Sequence, residues 1–161
     1  MAVREEAEVI IQVNPEVTAD ELFDFYRRNG ICEVGFGKET AARVLTHPHL
    51  IVAAFAGEEL VGLARATTDG LSAHVMEFSL DLRYQGGGGR YANGSLIEAD
   101  ASGVGRRLGE RLLDELGAAG VSFITGYIVR GCEEAFYESL GFRENEGHSV
   151  YYIDRRPYVT G

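Results

Sequence analysis

An α/β or α+β domain built on a mixed sheet, in the order β-α-α-β-β-β-α-β-α-β, is the fold class this sequence predicts. Three observations predict it. Short alternating or β-branched runs recur along the chain, residues 104–116 carry an apolar stripe of helical period, and strand-like runs alternate with helical ones. With 161 residues, 45% hydrophobic and 25% charged, the composition is that of one soluble globular domain with a sizeable core.

Residues 9–13 (VIIQV) read as a short buried first strand, broken by Asn14-Pro15. Thr18 with Glu21 is a capping-box signature for a helix over 19–28, whose apolar face is Leu22, Phe23, Phe25 and Tyr26 and which Asn29-Gly30 ends. Residues 31–38 form a glycine-bearing loop, and 39–45 a second short helix stopped by His47-Pro48. The runs 50–56 and 60–68, joined by Gly57-Glu58-Glu59, predict a hairpin. Asp69-Gly70 then leads into a strand over 73–82. Strict alternation puts Val75, Glu77, Ser79 and Asp81 on one face, and His74, Met76, Phe78, Leu80 and Leu82 mostly inward. A glycine-rich tract over 87–102 follows. Val104, Leu108, Leu112 and Leu116 recur every four residues as the buried stripe of a helix. The run VSFITGYIV over 121–129 is nearly continuous apolar and predicts a central strand buried on both faces. A short helix over 133–140 ends at Gly141, and alternation over 149–154 predicts a last strand.

The chemistry concentrates at Gly103-Val104-Gly105-Arg106. The first turn of a helix has backbone N–H groups without internal partners and the positive end of the macrodipole. Glycines there let a phosphate approach the backbone, and Arg106 and Arg107 add charge. A solvated, glycine-rich helix start is the plainer alternative. Lys38 is the only lysine and no Gly-Lys-Ser/Thr triplet exists, so a P-loop is excluded. The G-x-G-x-x-G fingerprint fails at Tyr91 counting from Gly86 and at Leu108 counting from Gly103.

A net charge of −10 argues against nucleic-acid or anionic-membrane partners. The apolar runs are too short to span a bilayer, the first residues lack the apolar core of a signal peptide, and two cysteines far apart make no disulfide framework, so a cytoplasmic protein is expected. His47-Pro48-His49 lacks a third ligand at metal spacing, and no metal is expected. Cys132 heads the helix over 133–140, where the dipole lowers a thiol pKa; it is a structural thiol or a nucleophile.

Three segments carry a family resemblance: Leu80-Asp81-Leu82-Arg83-Tyr84-Gln85-Gly86, Gly103-Val104-Gly105-Arg106-Arg107-Leu108, and Phe136-Tyr137-Glu138-Ser139-Leu140-Gly141-Phe142. In this order they resemble the GNAT N-acetyltransferase superfamily over nearly the whole chain, which implies a largely antiparallel mixed sheet flanked by helices. There are departures. About fifteen extra residues separate the first two segments, beyond the usual length of a structureless loop. Asp100 stands three before Gly103 where the family has Gln or Arg, and Arg130 stands at the family's common asparagine, seven before the tyrosine.

The resemblance implies acetyl-CoA as co-substrate and transfer of its acetyl group to a primary amine by direct attack. The backbone of Gly103, Val104, Gly105 and Arg106, with the Arg106 and Arg107 side chains nearby, is then expected at the pyrophosphate, and Arg130 is expected to bind the cofactor. The main chain of Phe78, Leu80 and Leu82, beside a bulged strand, is expected at the pantetheine arm and thioester carbonyl. Tyr137 is expected as general acid, or else as a core aromatic. Glu77 is expected as base, directly or through water, or else as a surface glutamate. Glu33 is expected to hold a cationic acceptor, which is a small polyamine-like or aminoglycoside-like amine or a peptide. The tract 87–102 is a surface loop without order or a lid. A homodimer is compatible, and the alternative to an enzyme is a catalytically inactive CoA-binding or sensing protein.

Overall fold

A computed structural model describes residues 7–31, 37–47, 49–87 and 89–156. In chain order its elements are β1 (Val9–Val13), α1 (Ala19–Arg28), α2 (Lys38–Thr46), β2 (Leu50–Ala56), β3 (Glu59–Thr68), β4 (Ser72–Leu80), α3 (Leu82–Gln85), α4 (Val104–Ala118), β5 (Phe123–Gly126) and α5 (Glu134–Ser139). The sheet runs β1-β2-β3-β4-β5; the first four strands are antiparallel and β5 lies parallel to β4. Among the described residues, no helix is long and apolar enough to cross a membrane.

Both faces of the sheet are covered. On one, Val104, Leu108, Leu112 and Leu116 of α4 pack on Val52, Ala54, Ala64, Val75 and Leu80. Gly62 permits that approach, because a Cβ there would sit 2.6 Å from Leu108 Cδ1. On the other, Leu22, Phe25 and Tyr26 of α1 pack with Ala41 of α2 on Ile51, Ala53, Leu60 and Leu63. The capping box of α1 forms in full: Thr18 Oγ1 accepts from the Glu21 amide at 3.1 Å, and Glu21 accepts from the Thr18 amide at 2.8 Å.

Four expectations are corrected. β4 stops at Leu80, where the buried Asp81 caps a one-turn helix, α3, by accepting from the Arg83 amide at 3.0 Å. The alternation along β4 also breaks. Arg65 pairs with Glu77 but the next residue, Ala66, pairs with Val75, so Met76 is the extra residue of a bulge. Val75 therefore joins Phe78 and Leu80 in the core, while Met76 is exposed. β5 is a four-residue outer strand rather than a central one, and Phe123, Tyr127 and Val129 are solvent-exposed. Residues 149–154 form no strand, and Tyr151 and Tyr152 are 93% and 77% exposed.

The tract 87–102 is not a loop without order. Gly94 donates to the Asn29 carbonyl at 2.9 Å and accepts from the Leu80 amide at 2.9 Å. Only glycine fits at this position, because a Cβ would meet Leu80 O at 2.8 Å and Asn29 Cβ at 2.9 Å. Ile97, 1% exposed, is part of the main core. At the neck, Ala101 and Ser102 donate to the Gln85 and Tyr84 carbonyls at 3.1 and 3.2 Å.

Candidate active site

β4 and β5 pair only from Ser72–Phe123 to Val75–Gly126. Beyond Val75, at the Met76 bulge, β4 runs on without a β5 partner, because β5 ends at Gly126. Phe78 lies on this stretch with no strand partner towards β5, because that register has ended. Its ring meets Phe136 and Tyr137 of α5 edge-on, with centroids 5.3 and 5.4 Å apart. Gly105 of α4 completes the enclosure, since a Cβ on it would stand 3.1 Å from Phe136 Cε2. Phe78, Tyr137 and the start of α4 are thus brought together.

The first turn of α4 holds an unforeseen arrangement. Its N-cap is Gly103, at φ 74°, which has no side chain with which to cap. Asp100 does so instead: Oδ1 accepts from the Gly105 amide at 2.9 Å and Oδ2 from the Arg106 amide at 2.8 Å. Ser102 Oγ accepts from the Val104 amide at 3.2 Å, and the Gly103 amide donates to the Asp100 carbonyl at 3.1 Å. A carboxylate, with two oxygens and one negative charge, is chemically close to a phosphate edge. The turn therefore fits an anionic group, and Asp100 now fills it.

The arginines are dispersed. Arg106 pairs with Glu110 at 2.7 Å, Arg107 donates to the Val9 carbonyl at 2.9 Å, and Arg130 pairs with Glu144 at 3.1 Å. Of the main-chain groups expected at the pantetheine arm, the Leu80 amide is bonded to Gly94, the Leu80 carbonyl accepts from Gln85 Nε2 at 2.8 Å, and the Leu82 amide donates to Asn29 Oδ1 at 3.0 Å. Among the described residues, Phe78 has no strand partner towards β5.

Glu77 is not a surface glutamate. It faces α1, with its side chain 9% exposed, and accepts from Tyr26 Oη, Arg65 Nε and Ser79 Oγ, each at 2.6 Å. The same environment acts on Tyr26: burial, then the Glu77 carboxylate, pushes its phenol far above the ordinary value. Tyr137 is 4% exposed, and burial, followed by the Glu133 carboxylate, holds its phenol well above 10. It remains protonated at neutral pH, and as a donor it is weaker than a free tyrosine.

Glu133 was not foreseen. It is 4% exposed at the head of α5, accepts from the Val129 amide at 2.9 Å, and has its pKa raised by burial. Its only sequence signal was its place as the first residue of the predicted helix over 133–140. The thiol of Cys132 goes the opposite way from the dipole expectation: burial first, then Glu98 and Glu133, pushes it up to about 11. Glu98 belongs to the inserted tract, which therefore reaches across to the turn that precedes α5. Glu33 lies outside the described residues. Among the described residues, no group of three or more His, Cys, Asp or Glu side chains could hold a metal ion.

No family profile matches the chain, and no curated protein sequence matches it. Solved structures do. A GNAT-family acetyltransferase from Streptococcus pneumoniae TIGR4 is similar at TM-score 0.67 and 22% identity, over 92% of this chain and 100% of that one. A ribosomal-protein-alanine N-acetyltransferase from Brucella melitensis biovar Abortus 2308 is similar at TM-score 0.64 and 16% identity, over 91% and 99%. An aminoglycoside N-acetyltransferase solved in complex with CoA is similar at TM-score 0.60 and 14% identity, over 96% and 100%. The chain has the fold of the GNAT superfamily.

Proposed function

We propose that this chain, as one domain over residues 1–161, is an acetyl-CoA-dependent N-acetyltransferase that modifies a primary amine of a small molecule or peptide. The observation that carries the reading is the stretch of β4 edge left without a β5 partner after Val75, where the Met76 bulge lies. It carries the Phe78 main chain, and beside it stand the Tyr137 ring and an anion-accepting first turn of α4. When bound, acetyl-CoA supplies the acyl group as an activated thioester. The amides of Gly105 and Arg106 would hold its pyrophosphate once the Asp100 side chain withdraws, joined by those of Gly103 and Val104 on release from the Asp100 carbonyl and Ser102 Oγ, with Arg106 and Arg107 exchanging their present partners for phosphate and Arg130 binding the cofactor beside them. The Phe78 amide would polarise the thioester carbonyl. Tyr137, buried and protonated, would donate a hydrogen bond to the departing sulfur.

Glu77 faces α1, on the opposite side of the sheet from the α4–α5 cluster, so the amine would approach from the side of α1, with Glu33 proposed to hold its charge. Both Glu77 oxygens already accept hydrogen bonds, so receiving the amine's proton requires one donor to let go. The test is steady-state release of free CoA thiol with polyamines, an aminoglycoside and an N-terminal peptide amine. Absence of turnover with every acceptor, despite bound acetyl-CoA, would favour the second reading, a CoA-binding protein without catalysis. The occupied Leu80 amide and the Asp100 cap support that reading.

We also propose that two copies associate through the outer edge of β5. Val150, Tyr151, Tyr152 and Ile153 are 67–93% exposed and rich in strand-forming residues, and they suit that open edge on a second copy. Light scattering of the full chain and of a chain ending at residue 148 tests this: a dimer and a monomer are expected, and a monomer in both would refute it.

A further inference from the structure

We propose that Asp100 is a built-in competitor for the pyrophosphate cradle, so that acetyl-CoA enters by exchanging one anion for another. This rests on the acetyl-CoA reading of the cleft. An ordinary N-cap side chain comes from the N-cap residue itself, but here that residue is Gly103. The carboxylate arrives from three positions earlier and bridges the two adjacent amides of Gly105 and Arg106. The inserted tract delivers it. The neck bonds at Gln85–Ala101 and Tyr84–Ser102 and the anchors at Gly94 and Ile97 fix where residue 100 stands.

Asp100 can leave without unfolding that tract, because the neck holds backbone and the cap is a side chain. Rotation about its Cα–Cβ bond frees both amides. The ligand-free helix start is therefore kept satisfied, and the same contact weakens acetyl-CoA binding by whatever it contributes to the free protein. Linkage makes the two quantities equal: the stability lost when the side chain is removed reappears as tighter binding. Removing N-cap side chains corresponds to about a two- to thirtyfold equilibrium ratio, and that is the expected gain.

The experiment titrates the full-length protein and its Asp100→Ala and Asp100→Asn variants with acetyl-CoA. S-acetylpantetheine, which lacks the pyrophosphate, is the control ligand, and circular dichroism confirms folding. Acetyl-CoA is expected to bind Asp100→Ala about two- to thirtyfold more tightly than the parent, with Asp100→Asn between them because it retains an acceptor oxygen. S-acetylpantetheine should not distinguish the three. Equal acetyl-CoA affinities would overturn the competitor role while leaving the cofactor reading standing. A gain shared by S-acetylpantetheine would overturn it too, as a general loosening of the cleft. Failure of all three to bind acetyl-CoA would remove the cofactor reading, and the competitor role with it.

Discussion

Replacing Arg65 by methionine isolates the buried network around Glu77. Arg65 and Glu77 are 15% and 9% exposed and meet at 2.6 Å across β3 and β4. Methionine keeps much of the apolar stem but leaves the Glu77 carboxylate with two neutral donors, Tyr26 and Ser79. Removing one partner of a buried pair costs about 3–5 kcal/mol, and the two remaining hydrogen bonds place this case near the lower end, about 3 kcal/mol. Tyr26→Phe removes one hydrogen bond to the carboxylate and should cost about 2 kcal/mol. The double variant Arg65→Met/Glu77→Gln should recover part of the loss, because no lone charge is then buried. Urea unfolding followed by circular dichroism measures all three. A loss below about 0.5 kcal/mol for Arg65→Met would refute the description of Glu77 as a buried, partner-dependent charge.

Four further outcomes are expected. Gly94→Ala, whose Cβ would press on backbone at 2.8 Å, should cost about 1–3 kcal/mol and make the 87–102 tract cleavable by protease; unchanged stability would contradict the anchored tract. Glu133 has a folded pKa raised above its unfolded value, so the folded state binds the extra proton and stability falls as pH rises from the unfolded value through the folded one. Glu133→Gln should accordingly stabilise the protein at pH 7 and not at pH 4, by thermal unfolding at both. In a Cys32→Ser background, Cys132, pushed up to about 11, should alkylate at pH 8 about a hundredfold more slowly than a free thiol. Tyr137→Phe should lower kcat by about tenfold or more. The parent should also keep its rate past pH 10, because the raised phenol is still protonated there.

Local patterns carried the elements accurately where one stretch decides its own structure. The Thr18–Glu21 box, the four-residue stripe of α4 and the hairpin of β2 and β3 each follow from neighbours a few residues apart. The misreadings lie where distant partners decide. An apolar run such as 121–129 reads the same at the centre of a sheet as at its edge, and only the sheet order separates the two. The Met76 bulge depends on register with β3, which alternation within β4 does not encode. Asp100 stood out only as a departure from the family's Gln or Arg; that it caps α4 depends on the neck and core anchors of the inserted tract. At the site, the glycines of α4 and Tyr137 stood out by motif, whereas Glu133 acquires its environment only from burial at the head of α5.

Isothermal titration of the purified protein with acetyl-CoA, with Gly105→Glu as control, tests most directly whether this cleft is an acetyl-CoA site. The position of a Cβ on Gly105, 3.1 Å from the Asp100 carboxyl, puts any added side chain against the cradle. The account predicts saturable binding with a dissociation constant between about 1 μM and 1 mM, the ordinary range of enzyme KM values, and its loss in Gly105→Glu. No heat of binding to the parent, or equal binding to both, would contradict it.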